Sequence, residues 1–110
     1  MIEWDVAFER GETPDGRPVL VVAGEIDLAV APRLARELED LVGRANDVAL
    51  LDLSGVGFMD SSGIRELLTA QQLAHARKAA LVLRAPSDAC RHVLEVSGAW
   101  TEFEVYEADT

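Results

Sequence analysis

Phe58-Met59-Asp60-Ser61-Ser62-Gly63 puts a carboxylate, two hydroxyls and a glycine where an apolar strand should give way to a helix. A helix start leaves backbone N–H groups unpaired and carries a partial positive charge. Asp, Ser and Gly are favoured there, so capping is one sufficient use of these residues. Phosphorylation is a second. A phosphoserine adds about -1.5 to -2 charges and three acceptor oxygens, and the fold tolerates that charge at a helix N-terminus. Asp60 would repel such a phosphate. So would Asp27 of Gly24-Glu25-Ile26-Asp27, if the two junctions are neighbours. The modified protein would stay folded while its outer surface became strongly anionic, expelling a partner that presents acidic groups. Like-charge juxtaposition costs several kcal/mol, and about 4 kcal/mol is roughly a thousandfold in affinity.

Other chemistries lack their residues. A serine hydrolase needs a base beside its nucleophile, yet His75 and His92 fall in predicted helices away from the junction. The G-x-S-x-G elbow is absent, because Asp60 stands two residues before Ser62. Gly55-Val56-Gly57 follows a strand, but the third glycine of a dinucleotide fingerprint would fall at Asp60. There is no Walker A sequence. Asp27 and Asp60 are two carboxylates without a close His/Cys set, so neither metal nor cofactor is expected. Cys90 reads as a small core residue on the apolar face of a helix. Trp4 and Trp100 read as packing residues.

The elements that must position the junctions follow from periodicity. Trp4 to Glu9 alternates apolar and polar residues, and Val19 to Ala23 is a β-branched run. The turn-rich Gly11 to Pro18 joins them as a hairpin. A helix is predicted over Val30 to Arg44, with Pro32 in its first turn, Leu34, Leu38, Leu41 and Val42 on one face, and Gly43 as terminator. Val48 to Leu53, apolar except for Asp52, reads as a central strand covered on both faces. A second helix runs from Ser61 to Lys78, with Ile64, Leu67 and Leu68 inward, and Leu81 to Leu83 is the next strand. Ser87 N-caps a third helix that buries Ala89, Cys90, Val93 and Leu94 and stops at Gly98. Phe103 to Tyr106 is a last short strand, and the acidic end, Glu102 to Asp109, is a solvated edge and tail. The alternation implies an α/β domain: a mixed, mostly parallel β-sheet with packed α-helices and an N-terminal β-hairpin. Sites in such sheets lie at the carboxyl ends of strands, where both junctions fall.

Composition narrows the partners. The 110 residues make one domain, and 49% apolar content supports a folded globule. Formal charge is -10, from 20 acidic and 10 basic residues. This argues against nucleic acid and against anionic membranes, and favours a basic patch on a protein partner. The N-terminal residues carry Glu3, Asp5 and Glu9 and do not read as a signal peptide. One cysteine forms no internal disulfide. A cytoplasmic protein is expected, and nothing in the residues demands more than a monomer.

The chain resembles the STAS-domain anti-sigma-factor antagonists over nearly its whole length. GEID at Gly24–Asp27, LLDLSGVGFMDSSGI at Leu50–Ile64 and APSDACRHVLEVSGAW at Ala85–Trp100 carry the resemblance, in order and spacing. It implies a single STAS domain over 1–110, with its core at about 4–106. It implies phosphorylation at Ser61, an acidic partner-contact patch at Glu25 and Asp27, and Asp60, Ser62 and Gly63 completing the partner-binding set. The implied partners are an anti-sigma factor that is also a serine kinase, and a PP2C-type phosphatase that resets the switch. The protein itself would be a substrate and a ligand, not an enzyme. The competing reading is a STAS scaffold or sensory module that binds another protein or a nucleotide without a phosphorylation switch. The intact Asp60-Ser61 favours the antagonist. Two departures stand out: Lys78-Ala79-Ala80 replaces the usual glycines, and Arg65-Glu66 stands where members are often apolar or small. The second alters the partner-facing surface.

Overall fold

The computed structural model describes residues 6–107; Trp4 and Asp109 lie outside them. β1 (Val6–Glu12) and β2 (Pro18–Ile26) form the expected antiparallel hairpin, with Gly11 opposite Val19 and Glu12 opposite Pro18. The turn is therefore narrower than Gly11 to Pro18. It is closed by the Thr13 N–H donating to the Arg17 carbonyl at 2.8 Å and by Gly16, at φ 89, donating to the Thr13 carbonyl at 2.9 Å. β3 (Val48–Met59), β4 (Ala80–Arg84) and β5 (Glu104–Tyr106) continue the sheet in the order β1-β2-β3-β4-β5, each parallel to its neighbour from β2 onward. α1 (Ala31–Gly43), α2 (Ser61–Ala76) and α3 (Asp88–Ser97) make the crossovers, and a 3-10 turn, Ala99–Glu102, precedes β5.

Each crossover steps one strand onward in the same direction. Right-handed connections then place every helix on the same side of the sheet. Leu34, Leu38 and Leu41 of α1, Ile64 and Leu67 of α2, and Cys90 and Leu94 of α3 share one core with Leu20, Val22, Leu51, Leu53, Leu81 and Leu83. Among the described residues no helix packs on the opposite face, where Val19, Leu50 and Val82 form a small cluster of their own. Ala49 to Leu53 are buried on both faces, as expected of a central strand, although helices cover only one of them, and Asp52 finds its reason. On the helix-free face its carboxylate accepts from Arg84 Nε at 2.8 Å and from the Ser54 N–H at 2.9 Å.

β3 also outruns its expected end at Leu53, because β2 keeps pairing with it as far as Ile26 opposite Met59, through register shifts. Gly55 permits this: a Cβ there would lie 2.9 Å from the Ala23 Cβ. Gly55-Val56-Gly57 is therefore strand. Gly43 stays helical, and the C-cap is Arg44 at φ -89, so the expected glycine terminator is corrected for α1. It holds for α3, where Gly98 takes φ 83 and the Ser87 hydroxyl caps the start by accepting from the Cys90 N–H at 3.2 Å. The Ser87 hydroxyl also donates to the Val56 carbonyl at 2.5 Å, tying α3 to β3. α2 ends at Ala76, before the expected Lys78, which adopts φ 62. That left-handed conformation costs a non-glycine residue about 1 kcal/mol.

Candidate functional site at the carboxyl ends of β2 and β3

The two junctions meet. Glu25 lies opposite Phe58 and Ile26 opposite Met59 in the parallel ladder. The Asp60 N–H then donates to the Ile26 carbonyl at 3.2 Å, just where the strands part into their helices. Below this bond Ile26 and Met59 are buried. Gly63 seats the start of α2 directly on them: a Cβ at this position would fall 2.7 Å from Met59 Cγ and 2.9 Å from Ile26 Cγ2. The glycine fixes the height of the helix over the sheet, and with it the place of Ser61.

Asp60 is the N-cap of α2, in extended backbone at φ -109. Its Oδ1 accepts from the Ser62 N–H at 2.9 Å and from the Ser62 hydroxyl. The Ser62 hydroxyl, with the Ser62 and Gly63 N–H groups, holds the Asp60 carboxyl below its ordinary value. Ser62 is buried, at 8% exposure, beneath the half-buried Asp60. Capping therefore accounts for Asp60 and Ser62, but not for Ser61. Ser61 is exposed, and among the described residues its hydroxyl has no hydrogen-bond partner. Of two adjacent serines, one is locked inside the cap and the other is offered to solvent.

Asp27 stands beside this site. Its Oδ1 accepts from the Val30 N–H at 3.1 Å, and its carbonyl accepts from the N–H groups of Val30 and Ala31, so it builds the turn into α1 while remaining exposed. Glu25 is exposed at the last turn of strand before it. Glu25, Asp27, Asp60 and Ser61 thus share one end of the sheet. Ser62 and Gly63, expected among the partner-contact residues, lie beneath that surface and position it. Two neighbours escaped the sequence reading. Leu28 is 71% exposed and Phe58 is 47% exposed at this same end. A single apolar residue in a loop carries no sequence signal, because exposed leucines are common. Phe58 faces outward because β3 runs on to Met59, and strand alternation buries Met59 and exposes Phe58. His75 is exposed in the last turn of α2, roughly 20 Å along the helix from Ser61. His92 is exposed on α3.

Residues 10–101 match the sequence profile of the Mlab, STAS domain family. The chain belongs to the STAS domain family. This STAS domain is 34% identical over 94 residues to the anti-sigma-B factor antagonist of Listeria monocytogenes, covering 86% of this chain and 82% of that protein. It is similar to the crystal structure of an anti-sigma factor antagonist from Mycobacterium paratuberculosis, with a TM-score of 0.81 and 25% identity over 96% of this chain and 90% of that one. It shares its fold with the anti-sigma factor antagonist SpoIIAA in the unphosphorylated form, at a TM-score of 0.76, 21% identity and 94% and 89% coverage. It does so too with the Bacillus SpoIIAA in the phosphorylated form, at a TM-score of 0.69, 22% identity and 94% and 92% coverage.

Proposed function

We propose that this STAS domain is an anti-sigma-factor antagonist switched by phosphorylation of Ser61. The observation that carries the reading is the division of labour in Asp60-Ser61-Ser62: the cap consumes Ser62 and leaves Ser61 exposed with a free hydroxyl. The curated relative named an anti-sigma-B factor antagonist supports the same reading. In it, the unphosphorylated chain binds an anti-sigma factor with serine kinase activity, and the sigma factor is freed. Glu25, Asp27, Leu28, Phe58 and Asp60 form the contact surface, while Ser62 and Gly63 hold it in place.

The kinase then transfers the γ-phosphoryl group of ATP to the Ser61 hydroxyl. A new Oγ–P bond forms, the bond from the γ-phosphorus to the β–γ bridging oxygen breaks, ADP leaves and the serine proton passes to solvent. The product gains about -1.5 to -2 charges beside three carboxylates. An interface tuned to the neutral hydroxyl loses affinity through the cost of desolvating a dianion, even where the partner's wider surface is basic. Hydrolysis of the phosphoserine by a PP2C-type phosphatase restores the binding form. The chain acts as ligand and substrate and performs no catalysis of its own. Such a partner set belongs to the cytoplasm. Among the described residues no helix is long and apolar enough to cross a membrane.

The test is mass spectrometry of the protein after incubation with ATP and its cognate kinase-type anti-sigma factor. One added phosphate on Ser61 is expected. Ser61→Ala should keep the fold, take up no phosphate and stay bound in the presence of ATP. Ser61→Asp should bind more weakly than wild type. Binding without any phosphate transfer would replace this reading with a STAS scaffold. Wild-type affinity in Ser61→Asp would remove the electrostatic account of release.

A further inference from the structure

Arg65 stands one helical turn from Ser61, and the structure gives it a task. It lies four residues after Ser61 in α2, and residues at i and i+4 are neighbours on one face of a helix, with Cβ atoms about 5–6 Å apart. Both are exposed. Among the described residues Arg65 makes no ion pair and no side-chain hydrogen bond, whereas Arg33 and Arg91 on the neighbouring helices are engaged. Arg33 sits 4.7 Å over the Phe8 ring, and Arg91 is held by Glu107 and lies 4.7 Å over the Trp100 ring. The remaining charged groups here are acidic: Glu25, Asp27, Asp60 and Asp88. Glu66 is half-buried and lines the groove between α2 and α1 with Ala35, Leu38 and Glu39, so it is turned away from Ser61.

We propose that Arg65 is a built-in clamp for a phosphate on Ser61, pairing with it across one turn of α2. The inference rests on the phosphorylation reading above and specifies the state that phosphorylation creates. Guanidinium and phosphate match in geometry, and the pair forms charge-assisted hydrogen bonds without moving the backbone. Without the clamp, the surrounding carboxylates would push the second ionisation of the phosphate upward from about 6, toward a singly charged group at neutral pH. With it, the phosphate stays dianionic and fixed on the helix, and the switch keeps its full charge.

The experiment needs no kinase. Phosphoserine is installed at position 61 during translation, and the phosphate is titrated by phosphorus NMR in wild type, Arg65→Gln, Arg65→Lys and Arg36→Gln. Arg36 is an exposed arginine on α1 and controls for net charge. The midpoint should rise by about half a pH unit in Arg65→Gln, rise less in Arg65→Lys and stay in place in Arg36→Gln. The Arg65 Nε–H resonance should also shift in the phosphorylated wild type relative to the unphosphorylated one. Equal midpoints in wild type and Arg65→Gln, or an equal rise in Arg36→Gln, would overturn the clamp. An unmoved Nε–H resonance would do the same. None of these outcomes depends on whether a kinase modifies Ser61. Failure of the phosphorylation reading therefore shows separately, as absent transfer in the mass spectrum.

Discussion

At the scale of single residues, the site is built on one carboxylate used twice. Asp60 caps α2 through the Ser62 N–H and fixes the Ser62 hydroxyl, so the exposed serine beside it is defined by exclusion. The same bonds hold the Asp60 carboxyl below its ordinary value of 3.8. A carboxyl depressed in the folded state stabilises the protein above its unfolded pKa, and the contribution is lost as pH falls through the folded pKa. Asn caps helices about as well as Asp but does not titrate. Asp60→Asn should therefore match wild type near neutral pH and lose less stability on acidification to below about 3.8. Urea unfolding at the two pH values measures this, and identical losses would count against the depressed carboxyl. Asp52 behaves similarly on the other face. There burial, which alone would raise its pKa, is outweighed by hydrogen bonds from Ser54 and Arg84.

At the scale of elements, the helix bearing Ser61 must be held against the sheet at both ends. Gly63 does this at its start. Gln71 does it further along, and it is one of the few buried polar side chains, at 5% exposure. Its Oε1 accepts from the Leu81 N–H at 2.8 Å, and its Nε2 donates to the carbonyls of Leu81 and Glu102, each at 3.0 Å. The side-chain amide thus takes the place of a strand partner just before the β4–β5 ladder begins at Val82 opposite Glu104. Gln71→Leu would bury these backbone groups without partners, and a loss of about 2–4 kcal/mol is expected by urea denaturation. Gln71→Glu would add a buried charge and should be no better. A loss below about 1 kcal/mol would mean that water or a neighbour replaces the amide.

At the scale of the whole molecule, the shared direction of the crossovers decides the layout. All helices lie on one face, the carboxyl ends of β2 and β3 open together, and Glu25, Asp27 and Asp60 gather at that end of a chain of net charge -10. An acidic surface of this kind draws in a basic partner by long-range steering, which salt screens over a Debye length of about 8–10 Å. Association with the cognate anti-sigma factor should slow by about tenfold or more between about 0.05 M and 0.5 M salt, with a smaller change in the dissociation rate. Stopped-flow mixing at the two salt concentrations reads both. An association rate indifferent to salt would leave the net charge without a role in encounter.

The order of elements, the hairpin, the caps at Ser87 and Gly98 and the importance of Asp60-Ser61-Ser62-Gly63 were legible in the residues, because each rests on local periodicity or local backbone chemistry. Three things were decided by tertiary structure. The first is the length of β3, which depends on how far β2 continues to pair with it through Gly55 and Ala23. The second is that helices cover only one face of the sheet, since a run such as Val48 to Leu53 is apolar whether helices cover one side or both. The third is which serine is free. Ser61 and Ser62 are the same residue type one position apart, and local sequence treats them alike. The seating of α2 on Ile26 and Met59 through Gly63 buries Ser62, whose hydroxyl joins the cap, and leaves Ser61 in solvent.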